Sequence, residues 1–302
     1  MVWLGISHNP MEDLTPVAYL HKLGALTASH SGLSDLTPLT NLDSLIQVTL
    51  VDNEITDISP LANKTGMLTL LMWENYISDL TPLQNMHELV KLNLRLNEIS
   101  DISPLTGLEQ LSELDVAYNN ISDLAPLGGL KSLTLLEVSH NGLTVLDGVE
   151  SLEKLEFLSF VSNDVSDLSL VSQLDALELL DFTGNEVVDI SVLASLTSLE
   201  VLGAASNELT SIVALSSLSS LVVLDIQNND VEEVTAVANL PALDEVYLSL
   251  NLITDISPLV ANPGIGEGDI VDLVGNPIDC DEQATNISEL LARGVTVFID
   301  CQ

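Results

Sequence analysis

Counted outward from Asn97, this chain repeats itself every 22 residues. The stretch Leu89–Gln110, LVKLNLRLNEISDISPLTGLEQ, carries the frame L-x-x-L-x-L-x-x-N-x-I-x-D-I-x-P-L-x-x-L. Steps of 22 in either direction fall on Asn9, Ser31, Asn53, Asn75, Asn97, Asn119, Asn141, Asn163, Asn185, Asn207, Asn229 and Asn251, eleven Asn in twelve positions. A thirteenth copy, centred on Asn276, follows after 25 residues. No unit this short can bury its own apolar residues, so copies must stack to share a core, and length counts coils rather than domains.

The frame assigns each side chain a task. Leu89, Leu92, Leu94, Ile99, Ile102, Leu105 and Leu108 point inward, and the Leu92 position is apolar in every copy from Leu4 to Val271. Alternation across Lys91–Arg95 is that of a half-buried strand, so each coil adds one strand to a parallel sheet. With strands ~4.8 Å apart, thirteen span about 60 Å. This period and spacing mark an α/β solenoid of leucine-rich repeats. A buried Asn amide can bond the backbone groups that a turn leaves unpaired. Asp13, Asp35, Asp57, Asp79, Asp101, Asp123, Asp167, Asp189 and Asp255 stand before I/L-S/T/A-P-L or its variants, where a carboxylate caps the next helical turn. Pro is replaced by Gly148, Leu170, Val192, Ala214 and Ala236, and those coils are expected to be less regular on that side.

The array is expected to cover residues 1–262, with the last repeat and a C-terminal cap in 263–302. Ile287, Leu290 and Leu291 recur at helical spacing before Arg293 and Gly294, and Val295, Val297 and Ile299 alternate as a final strand. Cys280 and Cys301 flank this cap. A disulfide between them would stabilise by ~3 kcal/mol and imply an oxidising compartment; two free thiols in a cytoplasmic protein are the alternative. The first coil begins without the polar cap that terminal repeats normally carry. The chain therefore reads as the C-terminal part of a longer protein, with any export signal in the missing part.

Charge excludes several partners. Lys and Arg total 7 against 45 Asp and Glu, a net charge of −38, which opposes binding to a nucleic-acid backbone or an anionic membrane. No apolar run is long enough to span a bilayer. A monomer is expected.

The frame ending in D-I-S-P-L resembles the repeats of bacterial internalins and of the phosphatase-regulatory leucine-rich proteins. The cap, with G-N-P-x-D-C and A-R-G-V-T-V, is similar to the C-terminal ends of leucine-rich proteins of environmental bacteria. The resemblance implies a curved horseshoe with a parallel concave sheet, short 3₁₀ turns on the convex side, and ligand contact through the concave face. The chain departs from internalins in lacking their helical N-terminal cap and any immunoglobulin-like or wall-anchoring segment, so host-cell adhesion does not carry over.

On that face the outward residues include Leu71, Trp73, Glu74, Tyr76, Lys91, Asn93, Arg95, Glu98 and Tyr118. Aromatics and Arg dominate interface hot spots, and both are scarce in this chain, so this patch is the expected site for a protein or peptide ligand. Asp115, Glu137, Asp181, Asp225 and Asp272 share one register position, and Glu186, Glu208 and Asp230 another. Such acidic rows suit a solvated face, a cationic partner, divalent ions or adaptation to high salt. His8, His30, Asp52 and Glu74 offer zinc-ligating atoms in four consecutive coils, but no metal site or cofactor is assigned. Gly266–Asp269 is read as a turn rather than a calcium loop. Catalytic motifs are missing: there is no Gly-rich phosphate loop, no H-E-x-x-H and no G-x-S-x-G. A non-catalytic binding module is thus the leading expectation, and a surface stalk with a salt-adapted exterior the second. The location expected is extracellular or at the cell surface.

Overall fold

Each frame makes the same excursion, because its apolar residues sit at fixed distances from its Asn. A strand, three residues long in all but the first two coils, runs into a turn, a short helical turn, 3₁₀ in every coil before that of Ser257–Ala261, follows on the opposite side, and the chain returns one strand further along. The computed structural model describes residues 2–11 and 13–301, divided into two compact units, Met1–Leu155 and Glu156–Gln302. The first holds β1 (Val2–Gly5), β2 (Leu23–Thr27), β3 (Gln47–Thr49), β4 (Thr69–Leu71), β5 (Lys91–Asn93), β6 (Glu113–Asp115) and β7 (Leu135–Glu137). The second holds β8 (Phe157–Ser159), β9 (Leu179–Asp181), β10 (Val201–Gly203), β11 (Val223–Asp225), β12 (Glu245–Tyr247), β13 (Ile270–Asp272) and β14 (Thr296–Phe298). Within each unit the strands pair in sequence order, all parallel, into an open sheet. The solenoid class expected from the period is therefore the observed one.

Inward and outward positions follow the frame. Leu89, Leu92, Leu94, Ile99, Ile102, Leu105 and Leu108 are all buried. Along the Leu92 position only Leu4, in the first coil, is half-exposed. In the second unit Phe160 and Phe182 stack at 6.0 Å, with small Ala204 at the next coil.

Asparagine ties coil to coil. The Asn119 amide donates to the carbonyls of Leu94, Val116 and Ala117 at 3.0–3.2 Å, while its Oδ1 accepts the Ile99 N–H at 2.9 Å. Two of those partners lie one coil back, so a single side chain satisfies both its own turn and its neighbour's. Among the described residues no buried side-chain polar atom lacks a partner.

All nine cap aspartates accept the backbone N–H two residues on, at 2.6–2.8 Å. At Asp13, Asp35, Asp79 and Asp101 the Thr or Ser hydroxyl of the next turn, followed by that N–H, holds the carboxyl below its ordinary range.

Loss of Pro does not disorder the turns. Ser169–Gln173, Ser191–Ser195, Val213–Ser217 and Thr235–Asn239 run five residues, as do Thr15–Tyr19 and Ala125–Gly129, which contain Pro; Thr37–Leu39 and Ser59–Leu61, also with Pro, run three. The expectation of irregularity fails because backbone bonds and buried apolar residues hold these turns, as at Val171, whose N–H donates to Leu168 O at 3.0 Å. Gly148 is the exception: its φ of 101° suits glycine, and a Cβ there would lie 2.7 Å from Leu124 O.

Lys64 occupies a position that is Leu42 and Met86 in adjacent coils, and it is 1% exposed. Its Nζ donates to Thr40 O at 2.7 Å and lies 3.7 Å from Asp43. Burial lowers its pKa, against the pull of Asp43.

At the C-terminal end of the second unit, helices α1 (Ser257–Ala261) and α2 (Ala284–Ala292) precede β14. A disulfide joins Cys280 and Cys301, Cα atoms 5.3 Å apart. Leu290 and Val295 are buried, but Leu291, at helical spacing with Ile287, is 55% exposed, since only one stripe of so short a helix meets the last coil. Gly266 N–H donates to Asp269 Oδ2 at 2.8 Å, closing that segment as a turn. Among the described residues no helix is long and apolar enough to cross a membrane.

Candidate partner-binding surface

Strand alternation turns two rows of side chains out of the first unit's sheet. One row pairs Thr69, Lys91, Glu113 and Leu135, the other Leu71, Asn93, Asp115 and Glu137. Neighbours in these rows satisfy each other. Lys91 forms an ion pair with Glu113, and the Asn93 amide donates to Asp115 Oδ2 at 2.8 Å. Burial raises the pKa of Asp115, as does Glu137; the Ala117 N–H, Arg95 and Asn93 oppose that rise.

Beyond the strand ends lies a row that residue types alone do not reveal. His8, His30, Asp52, Glu74, Leu96, Tyr118 and His140 all have φ of 50–58°, and Ser162, Ser206, Asn228 and Leu250 repeat this in the second unit. Gly184 and Gly275, at the same position, have φ of 70° and 76°. A left-handed residue reverses the chain just ahead of each ladder position, at a cost non-glycine residues bear only where the surroundings hold them. The turn displays its side chain beside the sheet.

Two of these displayed residues build a stack with Arg95. The Arg95 guanidinium sits 4.4 Å from the centroid of the Tyr118 ring, and that ring stacks on His140 at 4.0 Å and 20°. Such a cation–π contact fixes a long side chain that would otherwise lose entropy on binding. Trp73, one coil back from Arg95, is half-exposed, while Tyr76 and Tyr118 are 53% and 37% exposed. Glu54, Tyr76 and Glu98 take equivalent places in three successive coils, each donating its N–H one coil back, to Leu33, Ile55 and Ile77. All nine residues expected at the site thus lie on the first unit's sheet face or its adjoining turns. Sequence reasoning missed His140; its signal was the 22-residue step from Tyr118.

His8, His30, Asp52 and Glu74 lie one per coil along the left-handed row. His30 Nδ1 meets Asp52 Oδ2 at 2.7 Å and His8 stacks on His30 at 4.5 Å, but among the described residues no three His, Cys, Asp or Glu converge as metal ligands. Their shared left-handed turn spreads them along successive coils.

In the second unit Asp181 and Asp225 are separated by Gly203, over which the Asp181 carboxyl lies; a Cβ there would stand 2.5 Å from Asp181 Oδ1. Burial raises the pKa of Asp225, opposed by hydrogen bonds from Gln227. Glu186, Glu208 and Asp230 are exposed.

Residues 87–129 match the family model of leucine-rich repeats in two copies. No curated protein matches significantly. Among solved structures, the internalin InlF of Listeria monocytogenes is similar at 28% identity over 93% of this chain and 83% of that one, with a TM-score of 0.85. Internalin C2 of the same organism is 31% identical over 60% of this chain and 80% of its own, with a TM-score of 0.58. A plant peptide hormone receptor, RGFR1 in complex with RGF2, shares the fold at 18% identity over all of this chain and 49% of that one, with a TM-score of 0.79. With its unbroken frame, its parallel strands and 3₁₀ turns, and this likeness to internalins, the chain belongs to the leucine-rich-repeat proteins of the internalin-like class.

Proposed function

We propose that the chain is a non-catalytic module that binds a protein or peptide through the sheet face of its first unit, centred on Trp73, Tyr76, Arg95 and Tyr118. The observation that carries this reading is the Arg95–Tyr118–His140 stack, which pre-orders hot-spot residue types on an exposed face. Repeat solenoids commonly bind macromolecules through extended surfaces of this kind. Nine of the 45 carboxylates, by contrast, serve the fold by capping turns. An extracellular or cell-surface location fits the Cys280–Cys301 disulfide.

Capture from surface and culture fractions of the source organism tests the reading, with the wild-type chain beside a Trp73→Ala/Arg95→Ala variant. A protein retained by the first and lost from the second is expected. Affinities within about twofold of each other, well below the 1 kcal/mol that marks an energetically important contact, would rule the site out.

A further inference from the structure

The charge around the aromatic patch says what kind of segment it takes. Lys91 is paired with Glu113, and Arg95 lies on Tyr118 with its charge felt at Asp115. Those cations are engaged. Glu54, Glu74 and Glu98 are exposed and form no ion pair among the described residues. Glu54 and Glu98 flank Tyr76 in the coils on either side, roughly 5 Å away in the stacking direction, and Glu74 precedes it by two residues in a left-handed turn. Tyr76, 53% exposed, therefore has a carboxylate at its own register position in each adjacent coil and a third two residues before it, none of them in an ion pair among the described residues. An aromatic face attracts a cation, and carboxylates at its rim add Coulomb attraction. Elsewhere the same register position carries Glu186, Glu208 and Asp230 in three consecutive coils, with no aromatic between them.

From this geometry we propose that the partner segment is basic: an extended peptide that lays a Lys or Arg side chain on Tyr76 between Glu54, Glu74 and Glu98, its flanking residues against Trp73 and Tyr118. This rests on the binding-surface reading above and adds the partner's chemistry to it. The partner's cation supplies the counter-charge that these three carboxylates lack among the described residues, and aromatic contact makes the first unit, rather than the acidic row of the second, its seat.

The test uses a labelled Arg-Gly-Arg-Gly-Arg-Gly peptide, beside its neutral citrulline counterpart, titrated by fluorescence anisotropy at about 150 mM salt, where charges more than about 8 Å away are largely screened. Three chains are compared: wild type, Glu54→Gln/Glu74→Gln/Glu98→Gln, and Glu186→Gln/Glu208→Gln/Asp230→Asn. The last two lose equal charge, and all six positions but Glu74 share one register position. Expected is about tenfold weaker binding for the first-unit triple, less than about twofold change for the second-unit triple, and no binding of the citrulline peptide. Equal weakening by both triples would mean attraction to net charge alone and would overturn the proposal. So would no weakening by either, or a wild type that ignores the peptide. The captured protein separates the two readings. If it is lost with Trp73→Ala/Arg95→Ala but kept by the first-unit triple, the surface stands and the basic partner falls; if it is kept by both, the surface itself falls.

Discussion

One Asn in every coil but that of Ser31 does more than fill a turn. Asn119 satisfies three carbonyls and one N–H, two of these groups in the preceding coil. Asn119→Ala leaves the Ile99 N–H without its acceptor, while Leu94 O, Val116 O and Ala117 O each keep a second donor in Asn97, Asn141 and the Leu96 N–H, so its cost is expected to be about 1–3 kcal/mol in urea unfolding. Asn9 is exposed and, among the described residues, bonds only Ile6 and Ser7 of its own coil. Asn9→Ala should accordingly cost under about 0.5 kcal/mol. Equal losses at the two sites would show that bonds between coils are not what the ladder supplies. The residue beside each ladder Asn was harder to read. An αL conformation announces itself when glycine occupies it, as at Gly184 and Gly275, but not when the occupants are His, Asp, Leu or Tyr. That is why a turn position looked like a column of metal ligands. Lys64 escaped notice for a related reason: a lysine stem fills a leucine's place once its amine reaches a carbonyl at the coil's edge.

At the scale of the 3₁₀ turn, stability should depend on pH with a definite sign. The folded-state pKa values of Asp13, Asp35, Asp79 and Asp101 lie below 3.8, their ordinary value. Their contribution is therefore full above that value and lost as pH falls through the lower, folded-state ones. Asp115 and Asp225, whose values are raised, act oppositely, since protonation relieves the cost of their burial. Thermal melts should hold nearly level down to about pH 4 and fall beneath it. Asp35→Asn/Asp79→Asn/Asp101→Asn should start lower at neutral pH and fall less steeply in acid. A variant that tracks wild type across the range would remove the caps from the account. In the C-terminal cap, Cys280→Ser/Cys301→Ser is expected to lose ~3 kcal/mol of stability on the chain-entropy model. Amide protection should drop first in α2 and β14; a loss spread evenly over the second unit would contradict a local clamp.

For the molecule as a whole, the frame made the coil order, the core positions, the Asn ladder and the caps legible, because each depends on residue type at a fixed translation of 22. The outward rows were legible too, through strand alternation. What lay beyond sequence was which outward residues engage one another: that Lys91 is committed to Glu113, that Arg95 lies on Tyr118, and that His140 completes their stack. Those pairings separate the charges already satisfied inside the chain from those left for a partner. The regularity of turns without Pro and the outward aim of Leu291 likewise follow from packing that no single coil encodes. The most direct test of the binding surface is amide hydrogen exchange on the chain alone and saturated with its captured partner. Added protection is predicted in 71–76, 93–98 and 117–119, with the second unit's strands unchanged. Protection confined to β9–β13, with none around Trp73 and Arg95, would contradict it.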